Sequence, residues 1–126
     1  MVNKNNTFDD LIDFMLLQAK TFLEDMNEFF PYASVLTSEG ELSTVGIFND
    51  DDVDFNAKKA IDILQSKIKS DIENGIIVIG TIGIDVLIKE TNVNAIMIKA
   101  TEDGIKWHDR NFVYNVNDKI VKILRD

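Results

Sequence analysis

The run Ile76-Ile77-Val78-Ile79-Gly80-Thr81-Ile82-Gly83-Ile84-Asp85-Val86-Leu87-Ile88 constrains this chain more than any other stretch, because it follows a helical pattern with no linker between them. In that pattern Ala57, Ala60, Ile61, Leu64, Ile68 and Ile72 share one face, and Lys58, Lys59, Asp62, Gln65, Lys69 and Glu73 the other. Gly75 supplies the left-handed residue that ends the helix. The apolar run reads as a central strand, with Ile76, Val78, Ile82, Ile84, Val86 and Ile88 on one face and Ile77, Ile79, Thr81, Asp85 and Leu87 on the other. Both faces are apolar in its first half, so the strand is expected to be covered on both sides there or to lie at a subunit contact.

Upstream, apolar residues recur every three or four positions from Phe8 to Phe30, which predicts a long amphipathic helix starting at Thr7. Thr7 and Asp10 fit a cap in which the hydroxyl accepts from the first turn, and Pro31 is expected to stop the helix. The apolar stripe is wider than a coiled-coil seam and suits packing over a sheet. Tyr32–Thr37 and Leu42–Phe48 flank Ser38-Glu39-Gly40-Glu41 as a hairpin. Thr91-Asn92, Glu102-Asp103-Gly104 and Asn117-Asp118 are turn signals that divide the C-terminal half into a meander.

The expected fold is therefore a single α+β domain over residues 1–126, an antiparallel sheet of about five or six strands with two helices in the order α-β-β-α-β-β-β-(β). The simplest packing puts both helices on one face of the sheet. A chain of 126 residues buries enough surface to hold a core without staples. It has no cysteine, which removes disulfide frameworks, thiolate catalysis and Cys-based metal centres and is compatible with a reducing compartment.

Lys and Arg number 13 against 22 Asp and Glu, a formal charge of −9. Such a surface repels a phosphate backbone, and Lys119, Lys122 and Arg125 are too mixed with Asp118 and Asp126 to form a basic patch, so nucleic acid is not an expected partner. A basic protein is the natural electrostatic complement. No secretory leader or membrane span is legible, and the expected location is the cytoplasm.

Chemistry-bearing patterns fail specific tests. Asn49-Asp50-Asp51-Asp52-Val53-Asp54 resembles a calcium loop only at its start, because Phe55 stands where the glycine is needed and Ile61 where the bidentate Glu is needed. The carboxylates suit a helix N-terminus instead, with Asp54 as the expected cap. Gly80 and Gly83 lie inside a strand pattern without the Lys-Ser or Lys-Thr of a phosphate loop, so they are expected to admit a close-packed neighbour. No catalytic residue, metal site or cofactor is expected. His108, the one histidine, stands in Trp107-His108-Asp109-Arg110, which reads as a solvated strand edge or bulge, with a ligand pocket formed with Asp85 as the alternative. Asp85 is expected to emerge into solvent or, if buried, to pair with Lys99 or Arg110. Phe30 and Tyr32, in the corner Phe29-Phe30-Pro31-Tyr32, complete the candidate ligand or interface residues Phe30, Tyr32, Asp85, Trp107, His108 and Arg110.

The series Phe29-Phe30-Pro31-Tyr32-Ala33, Gly40-Glu41-Leu42, Asn49-Asp50-Asp51, Ala60-Ile61-Asp62-Ile63-Leu64, Gly83-Ile84-Asp85-Val86, Ala95-Ile96-Met97-Ile98 and Glu102-Asp103-Gly104 resembles a set of small uncharacterised bacterial α+β proteins. Some of their relatives resemble immunity proteins of bacterial toxin systems. The chain departs from that set in having Val113-Tyr114-Asn115 where a Pro-Tyr pair often stands. The element order is also similar to that of roadblock-like and profilin-like domains, which pair through helix or strand edges. The resemblance carries no activity over, and the leading expectation is a non-enzymatic cytoplasmic binding protein that acts through an acidic surface or a dimer interface, toxin neutralisation being one version. A small-ligand domain or enzyme using Asp85, Trp107, His108 and Arg110 is the second reading, and a structural homodimer the third.

Overall fold

A computed structural model describes residues 6–45 and 56–124. The elements are α1 (Phe8–Met26), β1 (Tyr32–Thr37), β2 (Leu42–Val45), α2 (Ala57–Glu73), β3 (Ile77–Ile88), β4 (Val93–Thr101), β5 (His108–Asn117) and β6 (Ile120–Ile123). The strands form one antiparallel sheet in the order β2-β1-β3-β4-β5-β6, so the expected α+β order and strand number are found.

Local chemistry sets the ends of the elements. The Thr7 hydroxyl accepts from the Asp10 N–H while the Asp10 carboxylate accepts from the Thr7 N–H, the reciprocal cap expected. α1 ends at Met26, short of Pro31, because Asn27 takes the left-handed conformation (φ 67°) and its N–H bonds the Leu23 carbonyl. α2 is capped by Asn56, which accepts from the Lys59 N–H at 3.0 Å. That corrects the expectation of Asp54 as the cap, and Asp54 and the acidic run around it lie outside the described residues. Gly40, Gly75 and Gly104 have positive φ at the turns where the sequence asks for it, and Asn92 and Asp118 do the same without a glycine.

The helices lie on opposite faces of the sheet, which corrects the one-sided packing expected. Successive strand residues point to opposite faces, and Tyr32 belongs to the core under α1 with Met15, Ala19 and Leu23, whereas Ala33 belongs to the core under α2 with Leu64 and Ile68. The cover expected on both sides of the first half of the run is found at Thr81 and Ile82, whereas Ile76 and Val78 are exposed. A register shift at Leu36/Thr37 swings Ile77 onto the α2 face beside Ile82, out of the simple alternation. Both strand glycines are landing places for a neighbour. A side chain at Gly80 would meet Ile68 of α2, and one at Gly83 would meet the Tyr32 ring.

The helices cover unequal parts of the sheet. α1 crosses from β1 to β6, its middle held by Gln18, which accepts from the buried Ser34 hydroxyl at 2.8 Å and donates to Thr44 at 3.2 Å. α2 packs chiefly on β3 and against Ala33, Val35 and Val45 of the first hairpin.

Candidate functional site

Among the described residues, the uneven cover leaves part of the α2 side of the sheet open. Register and alternation put Ile84, Val86 and Ile88 of β3, Val93, Ala95 and Met97 of β4, and Val113 of β5 on that side. Cross-strand rows run Ile84–Met97–Asn111 and Val86–Ala95–Val113, and Leu124, whose N–H bonds the Val113 carbonyl, extends the second row. Ala95 is buried between its row neighbours, but Val86, Ile88, Val93, Met97 and Val113 are half-buried and belong to neither core cluster. Strand spacing and rise give this floor roughly 300 Å² in plan, part of which is exposed, since its side chains are half-buried. Its polar border includes the Lys99–Asp109 pair at 2.9 Å.

The six residues singled out in the sequence do not form one site. Tyr32 is buried, its hydroxyl donates to the Met15 carbonyl, and its ring meets Phe22 and Phe29 edge-on at 5.3 and 5.4 Å, so it is a corner of the core. Burial raises its phenol well above the usual range. Phe30, next to it, is 49% exposed. Trp107 packs with the α2-side core, whereas Asp85, His108 and Arg110 fall on the α1 side. On that side Asp85 pairs with Ile96 and His108 with Ala100, a separation of about 13 Å along the strands.

Asp85 is half-buried and pairs with neither Lys99 nor Arg110. It accepts from the Tyr114 hydroxyl at 2.9 Å and from the Phe29 N–H. Burial raises its carboxyl despite those two bonds, and nearby Glu28 pushes the same way. Lys99 instead meets Asp109, and Arg110 lies 4.7 Å over the Phe112 ring. The segment His108–Asn111 is exposed, and β6 pairs only with Tyr114–Asn117, so no described strand lies beside it. Polar side chains on such an edge discourage pairing with another chain. The solvated edge with a partly buried Trp is the arrangement the sequence suggested.

A second feature went unseen in the sequence. A cleft of about 370 Å³ opens on the α1 side between the start of α1 and the β4–β5 loop, floored by Phe8, Ile79 and Ala100. Glu102, Asp103, Lys106 and His108 stand around it. The loop is tied from within, because the buried Thr101 hydroxyl donates to the Lys106 carbonyl at 2.7 Å and accepts from the Gly104 N–H at 2.8 Å. Asp103 Oδ1 accepts from the Ile105 and Lys106 N–H groups, both at 2.8 Å, and these bonds hold its carboxyl below the usual range. The turn signal Glu102-Asp103-Gly104 was legible, but a cleft needs Phe8, far away in the chain, to close it.

Among the described residues no group of three or more His, Cys, Asp or Glu side chains is placed to hold a metal ion, and no helix is long and apolar enough to cross a membrane. Comparison with protein-family models, curated proteins and solved structures returned no match.

Proposed function

We propose that the protein is a non-enzymatic, cytoplasmic protein-binding domain that docks its partner on the open half of the sheet. One observation carries this reading: the contiguous apolar floor of Val86, Ile88, Val93, Met97 and Val113, which no helix among the described residues covers. Apolar area on that scale gains free energy when water is excluded from it. The charge of −9 favours a basic partner through steering. Neutralisation of a toxin by an immunity-type protein is the concrete version, supported by the resemblance of the Phe29–Ala33 and Glu102–Gly104 segments.

A second copy of the chain fits less well. A stable dimer buries about 800 Å² per partner, and a floor of about 300 Å² reaches that only as the centre of a larger contact with a complementary rim. Two copies would also bring together two chains that each carry a net charge of −9.

A photo-activatable side chain at Asn111, exposed on the open face, tests the reading in the native cell, with Asp62 on the outer side of α2 as control. The expected result is a cross-linked protein from position 111 that is absent from position 62 and that binds the purified chain more weakly as salt rises. The same products from both positions, or none from 111, would contradict the docking face. Binding indifferent to salt would remove the electrostatic version alone.

A further inference from the structure

We propose that the cleft between the start of α1 and the β4–β5 loop binds a small zwitterion with a large apolar side chain, of the free α-amino-acid class. The site is on the opposite side of the sheet from the docking face and does not depend on it.

Size restricts the ligand first. A volume of about 370 Å³ is at the small end of ligand sites and fits one aromatic or branched side chain with its backbone. The floor of Phe8, Ile79 and Ala100 asks for an apolar body, and Phe8 is 41% exposed, so covering it is favourable.

Charge restricts it further. The loop brings acids at Glu102 and Asp103 and bases at Lys106 and His108 to one rim. Glu102, Lys106 and His108 form no ion pair among the described residues, so both signs remain available to a ligand. A simple carboxylate would leave the acids facing its apolar end, and a simple amine would leave Lys106 unanswered. A zwitterion meets both signs from one small centre. The rim is also preorganised. Thr101 and Asp103 lock the loop, and Gly104 lies so close to Lys69 that an added Cβ would come within 2.8 Å of the Lys69 Cα. Little ordering is then required when a ligand arrives.

The test is an NMR titration of the full chain with L-phenylalanine, hydrocinnamate, which lacks the ammonium, and phenethylamine, which lacks the carboxylate. We expect saturable shifts at Ile79 and around Ala100–His108 with phenylalanine, a dissociation constant on the order of 1 mM, and binding of each analogue weaker by about tenfold or more. Ala100→Phe, which fills the cleft, should abolish binding. Lys106→Glu, at an exposed position that the fold does not need, should weaken phenylalanine, whose carboxylate loses its partner, and tighten phenethylamine, whose ammonium gains one. Absence of saturable shifts, equal binding of all three probes, or a Lys106→Glu variant that binds phenylalanine as well as the parent would each overturn the proposal.

Discussion

Replacing Gly83 with alanine probes the contact that joins α1, the aromatic corner and the central strand. A Cβ at position 83 would come within 2.6 Å of Tyr32 Cζ and 2.8 Å of its hydroxyl oxygen. The ring cannot swing aside freely, because Phe22 and Phe29 flank it and the hydroxyl is tied to the Met15 carbonyl. Overpacking a core of this kind costs about 1–3 kcal/mol, and loss of the hydroxyl bond adds about 1 kcal/mol. The sum, about 2–4 kcal/mol, corresponds to a fall in Tm of roughly 10 °C for a domain of this size. Urea denaturation of Gly83→Ala should show it. In a Tyr32→Leu background the clash is gone, and the same substitution should be neutral or stabilise by about 0.5 kcal/mol, since alanine gives up less backbone freedom than glycine. The double-mutant cycle should therefore return a coupling of at least about 2 kcal/mol. An equal cost in both backgrounds would show that the ring contact is not why glycine stands there.

Gly104→Ala and Gly75→Ala both place alanine at positive φ, yet Gly104 faces the Lys69 backbone and Gly75 faces open space. Thermal denaturation should show a cost of about 1 kcal/mol at Gly75 and a clearly larger one at Gly104, where overpacking is added. Asp85 has a raised carboxyl pKa, so its contribution to stability is full below the ordinary aspartate range and is lost as pH rises through the raised value. Asp85→Asn keeps an acceptor for Tyr114 and Phe29 and should flatten that part of a urea-midpoint profile. Glu24 has the opposite sign, because the Lys20 bond and the Val121 N–H lower its carboxyl pKa. Its contribution is full above the ordinary glutamate range and is lost as pH falls through the lowered value, so Glu24→Gln should flatten the acid limb instead.

The elements were legible wherever the signal was local. Thr7 with Asp10, Gly40, Gly75 and the Asp103-Gly104 turn each determine a backbone conformation within a few residues, and the structure places them as their chemistry requires. The layering was not legible in the same way. Periodicity says that α1 and α2 each have an apolar face, but which side of the sheet each takes depends on the β1–β3 pairing, and that brings Tyr32 beside Gly83 and Ala33 beside Ile82. α1 ends before Pro31 because a left-handed Asn27 stops a helix as firmly as proline does, and asparagine announces that role less clearly than glycine. Asp85 shows the same limit. Its partner, the Tyr114 hydroxyl, lies two strands away across the sheet, a neighbour that spacing along the chain cannot reveal.

The docking face is tested most directly by measuring the affinity of the purified cross-linked partner for Val86→Lys and Val113→Lys variants. These positions are half-buried and lie in one row across the open floor, so a charge there strikes any partner and leaves both core clusters intact. Each variant should keep a Tm within a few degrees of the parent, as half-exposed sites usually do. Each should also lose about 100-fold or more in affinity, as expected when the apolar centre of an interface is charged. Unchanged affinity in variants that fold normally would place the partner elsewhere on the molecule.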